Sequence, residues 1–267
     1  MKELPITPEI AYITGFLIGD GNISDDYRIR AVEENEDYIG FFAEMFGKAF
    51  GKSPKIYFDK YNNSFVAYVY SKEIWEFLVT ELEIPKGNKS RIVRIPSKIR
   101  DSAEKIKSAF LSGIFDAEGC VTKVKDSHHP RGYLKIQFKV VNRGLVEDVS
   151  GVLKDLGIGC KVYHYNGFSL VYILGKTQSK LFLEKVGFKH PKKHEKLINA
   201  FSPSSNGAGS LCQWQGESRS ESESERATVT GIRPELRRSN PGQGDAGRKF
   251  SRGPDPHLVQ TSRVTWG

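Results

Sequence analysis

Cysteine is scarce in this 267-residue chain, which holds three, Cys120, Cys160 and Cys212. Their spacing matches no metal-ligand pattern and an odd number cannot all pair, so they read as free thiols in a reducing compartment rather than as a disulfide framework. Histidine is sparse as well. Six residues form no Cys/His cluster, and His128-His129 falls in a polar loop where solvation explains it, which argues against a zinc enzyme. No segment approaches the roughly 18 apolar residues that span a bilayer. The opening Met1-Lys2-Glu3-Leu4-Pro5 has no signal-peptide pattern. These absences predict a soluble, intracellular, cytoplasmic protein with no membrane partner.

Acidic residues are in deficit, 32 against 40 Lys and Arg, for a formal charge of +8. That balance suits a polyanionic partner, although charge alone fits RNA or a membrane surface equally well. The hydrophobic share, 38%, is low for one globular unit, and the end of the chain explains it. Residues 1–201 hold 24 Lys and 7 Arg; residues 202–267 hold one Lys, Lys249, and eight Arg set among Ser, Gly and Pro. No apolar period survives there, and Ser218 to Arg226 is a simple Ser/Glu/Arg run. Such a segment buries too little apolar surface to offset its ordering entropy, so disorder is expected for 202–267.

Earlier in the chain the periods are clear. Thr7-Pro8 reads as N-cap and first helical residue of a helix that Asp20-Gly21 ends. Tyr27 to Val32 alternates as a half-buried strand, and residues 36–50 place Tyr38, Ile39, Phe42, Met45, Phe46 and Phe50 at helical spacing. Lys55 to Tyr61 and Ser64 to Tyr70 read as a hairpin through Asn62-Asn63, and Lys72 to Leu82 as a helix. The same order returns: a helix at about 104–118, strands at 120–125 and 133–141, a helix at 143–156, strands at 160–165 and 168–174, and a helix at 176–187. The whole domain is therefore duplicated, which sets domains at 1–97 and 98–201 followed by the tail at 202–267.

Strand faces are amphipathic in a particular way. In Leu134 to Val140 the period of two puts Lys135, Gln137 and Lys139 on one face and Leu134, Ile136, Phe138 and Val140 on the other. Lys161, Tyr163 and Tyr165 alternate likewise, as do Lys55, Tyr57 and Tyr61, with Arg28 and Arg30 before them; Lys123 and Lys125 join the set on the second half's first strand. A sheet face of long donors can enter a major groove, although a solvated antiparallel sheet has the same pattern.

The most specific signal is a repeated nine-residue stretch, Ile13-Thr14-Gly15-Phe16-Leu17-Ile18-Gly19-Asp20-Gly21 and Leu111-Ser112-Gly113-Ile114-Phe115-Asp116-Ala117-Glu118-Gly119. Asp20 and Glu118 fall at the same position of the repeat. The small pairs Thr14-Gly15 and Ser112-Gly113 would let two parallel helices approach closely and bring both acids to one spot. Each acid would sit at a helix C-terminus, where the macrodipole is negative, so a cation is needed. A hard divalent ion, Mg²⁺ with Mn²⁺ as substitute, suits Asp20, Glu118 and the backbone carbonyls of Gly19 and Ala117. Taken singly, either stretch reads as well as a buried helix stopped by a glycine cap.

These residues resemble the LAGLIDADG homing endonucleases in the form that carries both motifs on one polypeptide, over about residues 6–201. The resemblance implies an α+β fold of two αββαββα domains related by a pseudo-twofold axis, with saddle-shaped antiparallel DNA-binding sheets. It further implies a monomeric, metal-dependent, site-specific endonuclease that cuts a long, loosely palindromic double-stranded DNA and leaves 3′ overhangs, acting at the nucleoid of a prokaryote to initiate intron mobility. By the same resemblance Asp20 and Glu118 hold the metals, a lysine stands near each centre (Lys89 in the first half, Lys193 or its neighbour Lys192 in the second), and Glu33 and Asn142 organise water. The Lys-to-Arg switch after residue 201 then reads as a frame running out of an intron into GC-rich flanking sequence, or as an artefactual extension. Intron RNA maturases and non-catalytic DNA-binding regulators share the fold, and retention of both acids favours the nuclease. Because the first motif helix follows Met1 almost at once, a free-standing enzyme is expected rather than a domain within an intein.

Overall fold

The computed structural model describes residues 4–125, 127 and 132–201; the expectations for His128-His129, Cys212 and residues 202–267 lie outside the described residues. Helix α1, Pro8–Gly19, starts where the Oγ1 of Thr7 accepts from the amide of Ile10 at 3.3 Å, with Pro8 supplying a pre-set φ. It is apolar all round, and Ile10 through Ile18 are all buried. Strands β1 (Gly21–Ile23) and β2 (Arg28–Glu33) follow, then α2 (Glu36–Phe50), capped by Asn35 and stopped by Gly51 at φ 68°. The hairpin β3 (Lys55–Asp59) and β4 (Ser64–Tyr70) leads to α3 (Lys72–Glu76), which continues as a π-helical turn over Phe77–Glu81.

After a short helix α4 (Ser97–Arg100), the order repeats as α5 (Glu104–Glu118), β5 (Gly119–Val124), β6 (Tyr133–Val140), α6 (Arg143–Asp155), β7 (Lys161–Tyr165), β8 (Phe168–Leu174) and α7 (Lys176–Lys185), ending in α8 (Pro191–Asn199). The two antiparallel sheets have the same strand order, β1-β2-β4-β3 and β5-β6-β8-β7. This is the α+β, two-sheet duplicate that the resemblance implies, with its elements in the repeated order that the periods predict. The two halves lie in one compact unit. Between them, the Nε and guanidinium of Arg94 donate to both oxygens of Asp148 on α6 at 2.6 Å, and Ile95 donates its amide to the same carboxylate. The end of the first half is thus pinned to the second. No helix among the described residues is long and apolar enough to cross a membrane.

Four elements differ from the reading of the sequence. β1 is only three residues long, too short for a period to register. The first strand of the Asn62-Asn63 hairpin ends at Asp59 rather than Tyr61, because the Asp59 carboxylate accepts from the amides of Tyr61 and Asn62 and turns the chain early. α4 falls between the expected helices at 72–82 and 104–118. α8 has no counterpart among the expected elements: its sequence is Lys-rich and Leu197 is the one buried residue of its nine.

Candidate functional site

α1 and α5 lie against each other in the same direction, and glycine makes the contact. A Cβ on Gly15 would stand 2.2 Å from the carbonyl oxygen of Phe110, and one on Gly113 only 2.0 Å from that of Tyr12, so no larger residue fits either place. The contacts are reciprocal, as a pseudo-twofold requires. One turn on, a Cβ on Gly19 would meet the Cβ of Ala117 at 2.4 Å and the Cγ of Glu118 at 3.1 Å. The helices therefore end together, with Asp20 as the C-cap of α1 and Glu118 as the last residue of α5.

The electrostatics follow from that convergence. Burial, and after it the charge of Asp20, pushes the Glu118 carboxyl up to about 7, against the pull of Lys193 and Lys89. Asp20 is raised as well, by burial first, with Glu33 adding and Lys193 and Lys89 opposing. Asp20 keeps an open face toward solvent while Glu118 is half-buried, so the desolvation of Glu118 carries more weight. A cleft of about 520 Å³ opens from Asp20 along the first sheet, past Arg30, Glu33, Asp59, Asn62 and Ser64.

Two lysines reach the helix ends. Lys89, only 8% exposed, donates its ammonium to the carbonyls of Gly21 at 2.5 Å and Gly19 at 3.5 Å. Lys193 donates to the carbonyls of Asp116 at 2.5 Å and Ala117 at 3.1 Å. Burial pulls both ammonium groups below the ordinary lysine value while the surrounding carboxylates hold them up. Lys192, the alternative to Lys193, is exposed and makes no such contact. Each carbonyl of Gly19 and Ala117 retains a second lone pair, so the lysine contact leaves it able to ligate an ion. Two carboxylates plus carbonyl oxygens are a hard donor set that fits Mg²⁺ or Mn²⁺. Among the described residues no group of three or more His, Cys, Asp or Glu is placed to hold a metal ion by itself.

Glu33 and Asn142 do not occupy equivalent places, which corrects the expectation for Asn142. Its Oδ1 accepts from the amide of Leu145 as the N-cap of α6, and its Nδ2 donates to the carbonyl of Val93 at 2.6 Å. Both ends of the buried amide are spent on structure. Its true counterpart is Asn35, the N-cap of α2, and Glu33 at the end of β2 corresponds to Val140 at the end of β6. Glu33 accepts from the amides of Glu34 and Asn35 and faces the Nε2 of His190 at 3.7 Å. Burial raises its carboxyl, but the nearby His190 ring and those amides prevail and lower it.

Asp116, which the sequence reading passed over, is the most connected carboxylate here. Only 1% exposed, it accepts from the hydroxyl of Tyr12 at 2.7 Å and from the amides of Lys189 and His190. The signal available in the sequence was the contrast within the repeat, Asp116 against Ile18.

The sheet faces place most of the anticipated contact residues together. Lys135, Gln137 and Lys139 alternate with buried Leu134, Ile136 and Phe138. Lys161 pairs with Tyr172 opposite Gln137, and the ammonium groups of Lys135 and Lys139 lie over the rings of Tyr172 and Phe168 at 4.6 and 4.1 Å. Tyr163 and Tyr165 share the face of Lys161 and are exposed. In the first half Arg30 pairs with Tyr68, which pairs in turn with Lys55, while Tyr57 sits beside them. Arg28 and Arg30 each bury an Nε that has no partner in the protein. Three residues are corrected. Tyr61 is 99% exposed in the hairpin turn, off the strand face. Lys123 pairs with Leu134 and so lies on the opposite parity to Lys135, whose partner is Thr122. Lys125 lies beyond the end of β5 at Val124.

Residues 105–187 match the family model described as a LAGLIDADG-like domain. Among curated proteins, the chain is 24% identical over 223 residues to the tRNA-splicing ligase RtcB of Pyrococcus furiosus, covering 74% of this chain and 23% of that protein. It is 25% identical over 199 residues to the isomerizing glutamine–fructose-6-phosphate aminotransferase of Methanocaldococcus jannaschii, covering 72% and 17%. An uncharacterized protein of the same organism is 26% identical over 210 residues, with 73% of this chain and 72% of that one covered. The chain thus spans well under half the length of the ligase and the aminotransferase that it matches. Of solved structures, the homing endonuclease I-WcaI bound to its DNA recognition sequence aligns with a TM-score of 0.52 at 14% identity, over 73% of this chain and 88% of that one. I-DmoI in complex with DNA and Ca aligns at 0.51 and 19% identity, over 73% and 99%. At these identities the likeness is one of fold.

Proposed function

Because this chain belongs to the LAGLIDADG family, we propose that it is a site-specific endonuclease that hydrolyses both strands of a double-stranded DNA with divalent metal. The observation that carries this reading is the meeting of Asp20 and Glu118 at the ends of two helices pressed together through Gly15 and Gly113. Close packing of like charge at two helix C-termini is unfavourable without a cation, and it has no structural purpose that an amide would not serve better.

Asp20, Glu118 and the carbonyls of Gly19 and Ala117 would hold Mg²⁺ or Mn²⁺, which supplies charge stabilisation and an activated water when bound. Lys89 and Lys193 put a positive charge beside each scissile phosphate, where charge develops on the non-bridging oxygens. Glu33 orients water in the first centre. Halves 1–97 and 98–201 each contribute one reading sheet, through Arg28, Arg30, Lys55 and Tyr57 on one side and Lys135, Gln137, Lys139, Lys161, Tyr163 and Tyr165 on the other, so a monomer covers a long, loosely palindromic site. Since Glu33 has no acidic partner in the second half, the strands are cut one after the other through a nicked intermediate, with 3′ overhangs and intron homing as the family outcome.

A cleavage selection on a randomised plasmid library with Mg²⁺ tests the proposal. A cleaved consensus should emerge from the parent protein and not from the Asp20→Asn variant. Recovery of the same consensus from both proteins, or of no consensus with Mg²⁺ or Mn²⁺, would remove it.

A further inference from the structure

In α1 the place of Asp116 is taken by Ile18, so packing between the motif helices does not require an acid there. A buried carboxylate is costly unless its lone pairs are filled. Those of Asp116 are filled from three directions: the hydroxyl of Tyr12 on α1 at 2.7 Å, the amide of Lys189 at 3.0 Å and the amide of His190 at 3.1 Å. His190 is the residue that opens α8. Its ring, 7% exposed, packs on Tyr38 of α2 at 4.6 Å between centroids. Its Nε2 faces Glu33, and its Nδ1 is buried without a partner. Three residues later the ammonium of Lys193 returns to the carbonyl of the same Asp116 and to that of Ala117. One residue of the motif helix therefore grips both the entry to α8 and the lysine that α8 carries.

We propose that Asp116, through its hold on the start of α8 with His190 packed behind it, is a positioning residue that delivers Lys193 to the Glu118 end of the second centre. The first half does the same work differently. Lys89 is placed by a loop in which Gly87 donates its amide to the carbonyl of Ile23 and the amide of Val93 returns to the carbonyl of Lys89. The clasp also spans the halves, since Tyr12, Tyr38 and Glu33 belong to the first and Asp116, His190 and Lys193 to the second. Loosening it therefore disturbs one lysine and leaves the other in place.

The inference rests on the nuclease reading for its catalytic consequence and on geometry for the rest, so the test has two arms. In the first, the full chain and its Asp116→Ala and Asp116→Asn variants are acetylated with an amine-reactive ester, and labelling at each lysine is read by peptide mass spectrometry. Lys193 should label about tenfold faster in Asp116→Ala, with Lys89 unchanged, because a local clasp has opened rather than the fold. In the second, a duplex recovered from the cleavage selection is labelled separately on each strand. The strand cut at the Lys193 centre should slow by about 10–100-fold more than the other, so that nicked product accumulates. Asp116→Asn keeps one acceptor oxygen and should show both effects in weaker form, which preserves the reading where the alanine variant does not fold. Lys193 labelling that stays unchanged, or that rises together with Lys89, overturns the clasp. Equal slowing of both strands overturns its role in positioning. A parent protein that cuts no DNA sinks the nuclease reading alone, and the labelling arm still decides what holds Lys193.

Discussion

Replacing Glu118 by Gln should make the metal-free protein more stable while destroying its activity. In the folded chain the Glu118 carboxyl is pushed up to about 7 from an ordinary 4.5, by burial and by Asp20. Between those values the folded state keeps a proton that the unfolded state has released. Stability therefore falls as pH rises through that window and is lowest above about pH 7. The difference corresponds to about 3 kcal/mol for a fully enclosed group, and the half-buried setting reduces it to about 2 kcal/mol. Gln has the same shape without the charge, so in EDTA near pH 8 the variant should melt roughly 4–8 °C above the parent. Near pH 5 the gain should shrink to well under about 1 kcal/mol, because the parent is then protonated. Millimolar Mg²⁺ should reverse the order, since an ion present at about 100 times its Kd adds about 2.7 kcal/mol only to the protein that binds it. Thermal melts followed by circular dichroism across pH, with EDTA and with Mg²⁺, measure all three effects. A variant no more stable than the parent in EDTA at high pH, or one whose gain is independent of pH, would refute the view that Glu118 is strained by desolvation and a like charge.

Asp20→Asn and Glu118→Gln should each nearly abolish double-strand cleavage while DNA affinity stays within about tenfold, because binding is spread over many sheet contacts; gel-shift and cleavage assays on the same duplex separate the two. Gly113→Ala would place a methyl about 2.0 Å from the carbonyl of Tyr12, so urea titration should show a loss of about 3 kcal/mol or more, with soluble expression as the first sign. Lys193→Ala should slow cutting severely while Lys192→Ala changes it little, and equal effects would contradict the placement of the two side chains. Affinity for the target should fall steeply with salt, and Lys135→Ala should reduce the slope of log K against log salt by about one contact's worth, measured by fluorescence anisotropy.

Several features of this molecule were written in local sequence. The motif helices, their caps and the alternation of Lys135, Gln137 and Lys139 against Leu134, Ile136 and Phe138 depend on periods of 3.6 and 2 that a chain displays without knowing its neighbours. The repeat in turn exposed the duplication, and the small residues Gly15 and Gly113 marked where the copies touch. Other features depended on pairings that only the folded chain makes. Register decided that Lys123 faces away from Lys135, and one turn at Asp59 decided that Tyr61 leaves the strand. The role of Asn142 was hidden because a helix cap and a water-organising amide are the same residue type, told apart only by what Leu145 and Val93 bring to it. Asp116, Tyr12 and His190 lie far apart in the chain and follow no period, so their meeting, and the choice of Lys193 over Lys192, rests on how α8 docks against α5. Docking is set by shape and by satisfaction of buried polar groups over the whole interior, and no window of sequence contains it.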